Sequence, residues 1–130
     1  VSPLFINPPE LPPAIGYNHG VLTEGGKLLF VAGQVGADDP DLAGDFPTQF
    51  GNALQRVKTV VEAAGGCVEH IARMTIYVTD MNVYLESRKT LSPIYHDIFG
   101  KHFPAMSTVE VSALLFPYLH VEIEATAVIP

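Results

Sequence analysis

Five strand-like runs and only two helical ones can be traced along this chain, and that ratio constrains the fold more than any single motif. Residues 21–35, VLTEGGKLLFVAGQV, place Gly25-Gly26 between two β-rich runs, the spacing of a hairpin with a two-residue turn. In IARMTIYVTD, residues 71–80, Met74, Ile76 and Val78 alternate with polar neighbours. Residues 107–113 alternate in the same way, with Val109, Val111 and Ala113 on one side. The last strand is expected over LHVEIEATAVI, residues 119–129.

The clearer helix lies in FPTQFGNALQRVKTVVEAAGG, residues 46–66. There Phe50, Ala53, Leu54, Val57, Val60, Val61 and Ala64 recur at steps of three and four, while Asn52, Gln55, Lys58, Thr59 and Glu62 fall mostly on the far side. Asp45 or Thr48 can cap its start, and Gly65 suits a left-handed stop. A second helix opens near Asp80 or Asn82 and carries Tyr84, Leu85, Arg88 and Leu91. Ser92-Pro93 reads as a fresh cap and first turn, so a kink or break is expected there.

The order is then β-β-α-β-α-β-β, an α+β chain. Right-handed crossovers would put both helices on one face of a mixed sheet. A third layer is not available from 130 residues, so the opposite sheet face needs a partner. Composition agrees: 48% hydrophobic against 16% charged residues leaves little polar surface for a free monomer. The expected organisation is one domain over residues 1–130. Its first 16 residues, with five prolines among them, form an extended arm. Neither internal repeats nor a second domain can be found.

A net charge of −7 argues against nucleic-acid backbones and anionic membranes as partners. No run of 18 apolar residues occurs, and VSPLFINPPELPPAIG lacks the charged start of a secretory signal. The single Cys67 fits a reducing compartment, so a cytoplasmic protein is expected. With no cation beside it in the sequence, Cys67 reads as an inert thiol.

Familiar chemistry is mostly missing. GQVG at 33–36 runs into an acidic loop and not into a helix N-terminus, so it is no nucleotide cradle. The five histidines show no HxH or HExxH spacing, and no metal site is expected; His96 and His102, near one helix end, fit dipole contact or solvation. There is no GxSxG elbow. Glu122 and Glu124 stand apart, sharing a strand face with His120 and Thr126 while Val121, Ile123 and Ala125 face the other way. On an open edge they are solvated charges; on a face covered by another copy they are placed for acid–base work.

Six phrases in order, AIGYNHG (14–20), LFVAGQVG (29–36), NALQRVKTVVEAAGG (52–66), TIYVTDMNVY (75–84), FPAMSTVEV (103–111) and VEIEATAVIP (121–130), resemble the Rid family, the YjgF-like reactive-intermediate or imine deaminases of metabolite damage control. The likeness runs from about residue 14 to the end. It implies a chorismate-mutase-like (bacillus type) fold, assembled as a homotrimer around a central barrel, with three small-molecule clefts between subunits. It further implies hydrolysis of a 2-imino or 2-enamino acid to a ketone and ammonia, with no metal or organic cofactor.

Carried over onto this chain, the resemblance makes Glu122 the water-handling catalytic group and Tyr17 the tyrosine closing the cleft, although AIGYNHG is one residue shorter than the usual phrase. Gly33-Gln34 match the Gly-Gln after the second strand, with Ala32 where a serine is frequent. A second-helix asparagine falls at about Ser92, where spacing differs. His19 beside Tyr17, and Ala105, Ser107 and Thr108 around the break before the strand, complete the expected binding set.

The main departure is Met106, which occupies the position of a carboxylate-binding arginine. Such a clamp makes two charge-assisted hydrogen bonds, each worth roughly 1.5–3 kcal/mol. Losing about 3–5 kcal/mol costs at least about a hundredfold in rate or affinity. A thioether offers a soft apolar wall and sulfur–aromatic contact, with Tyr17 as one candidate ring. Poor activity on simple imino acids is therefore expected. Arg73 and Arg88 read as ordinary surface residues, which leaves His19 the better cleft group. Three readings stay open: a deaminase or hydrolase of altered specificity, acting for instance on an aminomuconate-type substrate; a catalytically silent trimer that binds metabolites or protein partners; and a ferredoxin-like regulatory domain.

Overall fold

The computed structural model describes residues 3–130; Val1 and Ser2, the first two residues of the expected arm, lie outside them. Its elements are β1 (Leu4–Ile6), β2 (Gly20–Leu22), β3 (Lys27–Val35), α1 (Phe46–Ala63), β4 (Ile71–Val78), α2 (Met81–Phe99), β5 (Ala105–Glu110) and β6 (Val121–Ile129). Four strands form one mixed sheet in the order β3-β6-β4-β5, with β4 and β5 parallel and β6 antiparallel to both β3 and β4.

Each helix starts where a carboxylate can hold it. Asp45 accepts from Thr48 N at 3.0 Å, and Asp80 accepts from Asn82 N and Val83 N at 3.0 and 3.2 Å. Gly65, at φ +88°, carries the chain out of α1 in the left-handed conformation that a side chain would oppose. α2 runs unbroken through Pro93, so the expected break does not occur. Ser92 and Pro93 are exposed, while Leu91, Tyr95 and Phe99 of the same helix are buried. Burial of those side chains outweighs the one hydrogen bond that proline removes.

The core lies between the helices and one sheet face. Leu54, Val57 and Val61 of α1 meet Met74, Ile76 and Val78 of β4 and Val121, Ile123 and Ala127 of β6. Each of these side chains except Ala127 contributes about 1.5–3 kcal/mol by leaving water. The other sheet face carries no layer. Phe30 and Leu28 of β3 are 73% and 64% exposed on it, beside Glu122 and Glu124 of β6 and Arg73 of β4. Two helices on one side and a bare face on the other match the expectation from the element count.

Two features of the arm differ from the sequence reading. β2 does not form a hairpin with β3; it pairs with β1, which gives residues 4–6 of the proline-rich arm a strand partner. Gly25 and Gly26 do take positive φ, 68° and 89°, but β2 is led away from β3 before it can pair. Asn18 explains why. Its backbone N donates to Pro104 O at 3.2 Å and its Nδ2 to Phe103 O at 2.6 Å, which ties this segment beside the start of β5 at the far side of the sheet. The outer edge of β3 consequently has no neighbour among the described residues.

His102 is also not solvated. It is buried, with Nε2 2.8 Å from Ile71 O and its own carbonyl accepting from Tyr95 Oη at 2.6 Å. Burial pushes the Tyr95 hydroxyl well above its usual pKa. Among the described residues no helix is long and apolar enough to cross a membrane. None of them gather as three or more metal-ligating side chains.

Candidate functional site

The expected site residues fall into two groups on opposite sides of the sheet. On the bare side, β6 aligns Glu122 with Tyr77 and Glu124 with Thr75 of β4. Tyr77 Oη donates to Glu124 Oε2 at 3.0 Å; this bond to the carboxylate raises the Tyr77 pKa and keeps the hydroxyl protonated. Glu122 is half-buried and has no hydrogen-bond partner among the described residues. Beside it the ladder between β3 and β6 shifts register between Val31 and Gln34, and the bulge presents Ala32 and Gly33. A Cβ on Gly33 would stand 2.6 Å from Glu122 Cδ, so only glycine lets the carboxylate occupy this place.

The second group sits on the helix side. β5 aligns Met106 with Met74 and Thr108 with Ile76, both core residues, whereas Ala105 and Ser107 fall on the bare side. Met106 lines an open cavity of about 430 Å³ bordered by α2 and by Ile15 and Gly16 of the arm. Its walls are apolar and aromatic, with Phe50, Tyr84 and Phe103 among them. Ser92 lines this cavity too. So does Arg88, one helical turn earlier, which the sequence reading leaves on the surface.

Tyr17 and His19 belong to neither group directly. Their rings meet edge to face at 5.1 Å, and His19 Nε2 lies 2.8 Å from Pro12 O, so the imidazole serves the arm's own turn. The aromatic neighbours of the Met106 cavity come from the helices and Phe103, not from Tyr17. Arg73 is on the bare face, where it lines a shallow groove of about 210 Å³ with Phe30, Thr75 and Glu124.

Two positioning residues were missed. Gln49 is fully buried at the start of α1. Its Nε2 donates to Tyr118 O at 2.9 Å and its Oε1 accepts from His120 N at 2.8 Å, which fixes the loop feeding Glu122 into β6. The available signal was its spacing: Gln49 stands three after Phe46 and one before Phe50, on the apolar stripe. Asn18 holds the arm over β5 and also accepts from Asn7 Nδ2 at 2.8 Å. Cys67 fits the inert reading, since burial, then a hydrogen bond to Glu69, raises its thiol pKa.

Comparison with known proteins places this arrangement. A family model described as Endoribonuclease L-PSP matches residues 8–129. The chain is 38% identical over 123 residues to a 2-iminobutanoate/2-iminopropanoate deaminase of Salmonella typhimurium, covering 90% of this chain and 91% of that protein. Among solved structures, YyfB of Yersinia pestis, a conserved Rid-family protein, superposes with a TM-score of 0.85 at 30% identity, over 99% of this chain and 100% of that one. TdcF of Escherichia coli with bound serine superposes with a TM-score of 0.67 at 30% identity, over 98% and 99% of the two chains.

Proposed function

The chain belongs to the Rid family, the YjgF-like proteins covered by the Endoribonuclease L-PSP description, and from that premise we propose that it is a cofactor-independent deaminase of an imine or enamine metabolite. It acts as a homotrimer whose sheets close a central barrel, with its clefts between subunits. One observation carries this reading. Glu122 lies on the bare sheet face and the Met106 cavity on the helix face, so a cleft that uses both must draw them from two copies. Exposed Leu28 and Phe30 supply apolar surface for that contact.

In such a cleft Glu122 takes a proton from water while the water oxygen attacks the carbon of the C=N bond. Glu122 passes that proton to the nitrogen as the new C–O bond forms. The tetrahedral carbinolamine then collapses: Glu122 carries its hydroxyl proton to the nitrogen, the C–N bond breaks to release ammonia, a C=O group remains and the carboxylate is as it began. One named relative acts on 2-iminobutanoate and 2-iminopropanoate. With Met106 in place of an arginine clamp, simple 2-imino acids lose their anchor here, and the substrate is one whose body contributes binding. The family description names an endoribonuclease; a net charge of −7 does not suit a phosphate backbone.

A panel of imines and enamines tests the reading with wild type, Glu122→Gln and Met106→Arg. Turnover abolished by Glu122→Gln, and gain on 2-iminopropanoate with Met106→Arg, are the expected results. Ligand binding with no turnover in any background would favour the second reading, a silent metabolite-binding or protein-interaction trimer. A monomer or dimer by solution mass would end the trimer proposal.

A further inference from the structure

We propose that Arg88 is the anion anchor of the Met106 cavity, and that its occupant is a monocarboxylate with an aromatic or branched apolar body. The proposal rests on the cavity being the substrate cleft and narrows what that cleft takes.

Arg88 is the one permanently charged side chain lining the cavity, and no Asp or Glu lines it. The guanidinium is available. Its Nε donates to Leu85 O at 3.1 Å, and neither terminal nitrogen has a bond among the described residues. The ion pair formed among these residues is Arg56 with Asp38, well away on α1 and the loop before it. A cation facing an aromatic-lined space without a counter-ion leaves a fork of two donors for a carboxylate.

The rest of the cavity fixes what the carboxylate must carry. At about 430 Å³ the space is within the range of small-ligand sites, and larger than a two- or three-carbon chain fills. Met106 offers a polarizable wall, and Tyr84, Phe50 and Phe103 offer ring faces. Ser92, four residues after Arg88 on α2, adds a hydroxyl on the same helix face. The positive charge comes from the helix, while the strand position that could hold one carries a thioether. A body that lies against sulfur and rings, with its acid group turned to α2, satisfies both.

Equilibrium binding tests this without turnover. Titration calorimetry of the full chain would use phenylpyruvate, pyruvate and phenylacetone, the last keeping the ring and ketone but lacking the carboxylate. Wild type should bind phenylpyruvate at least about tenfold tighter than either of the others. Arg88→Ala should erase the preference over phenylacetone, and Arg88→Lys should keep part of it as a single point charge. Arg88 is exposed on α2, and unchanged far-ultraviolet circular dichroism would show that the variants fold. An unchanged phenylpyruvate affinity in Arg88→Ala, equal affinity for the neutral ketone, or no binding by wild type would each overturn the proposal. Glu122→Gln separates the two readings. Arg88-dependent binding without hydrolysis of any imine sinks the deaminase and leaves the anchor standing. Hydrolysis that needs Glu122 but ignores Arg88 does the reverse.

Discussion

Met106 and Glu122 point to opposite faces of one sheet: Met106 pairs with Met74 over the core, and Glu122 pairs with Tyr77 on the uncovered side. No rotamer of either side chain brings them together within a single copy. Mixing subunits makes this measurable. Neither Glu122→Gln nor a cavity-filling Met106→Trp should turn over an imine alone. Co-assembled at random from equal amounts, each mixed trimer regains one intact cleft, and about a quarter of the wild-type rate should return. Two inactive parents whose mixture stays inactive would show that each cleft is built within one chain.

Gly33 and Glu122 form a second coupled pair, because a methyl group on the first intrudes on the carboxylate of the second. Gly33→Ala should cost about 1–3 kcal/mol in stability and displace Glu122. In a Glu122→Ala background the same change should cost about 1 kcal/mol less. Urea unfolding of the four proteins gives the coupling, and strictly additive costs would disprove the contact.

Gln49→Ala should destabilise the protein by about 2–4 kcal/mol, since it leaves Tyr118 O and His120 N buried or half-buried without their partners. Activity, where present, should fall through a shifted Glu122 even at temperatures where the variant is folded. A loss under about 0.5 kcal/mol, the size of an ordinary surface change, would contradict the clamp.

How far the sequence foretold this differs by element. α1, β4 and β6 were legible because each has one wet and one dry side, and Met74, Ile76 and Val78 sit buried where alternation puts them. Two helices for one sheet was enough to expect the bare face. The Gly25-Gly26 hairpin was not borne out. Turn propensity is local, and the hydrogen bonds that override it run from Asn18 to residues 85 and 86 positions away. Arg88 is exposed, as the sequence reading had it, but that it also borders the Met106 cavity was not foreseen, for a similar reason. α2 has a weak apolar stripe, and which of its polar residues overlook a cavity depends on how the arm and β5 close against it. Ser92 was singled out by resemblance, and it does line that cavity.

Acid should weaken the fold through its caps. The Thr48 hydrogen bonds hold the Asp45 carboxyl below the usual carboxylate range, and Arg56 does the same for Asp38. Both values are depressed in the folded chain, so their contribution is complete above the unfolded carboxylate pKa of about 4 and is lost as pH falls through the folded values. The melting temperature should be flat on this account from neutrality to about pH 5 and decline below about pH 4. Asp45→Asn keeps a capping oxygen that does not titrate and should decline less steeply. Identical pH profiles for the two proteins would remove the cap from the explanation.

The unpaired side of β3 has a cost of its own. Every second residue of this nine-residue strand turns its N–H and C=O to the free border, with Leu28 and Phe30 beside them and a lysine only at the first position. A copy stranded before it finds companions is a template for stacking strand on strand into fibres. An assembly that covers this border, as the proposed trimer would, protects the chain, and variants that weaken association should precipitate while their helices are still intact.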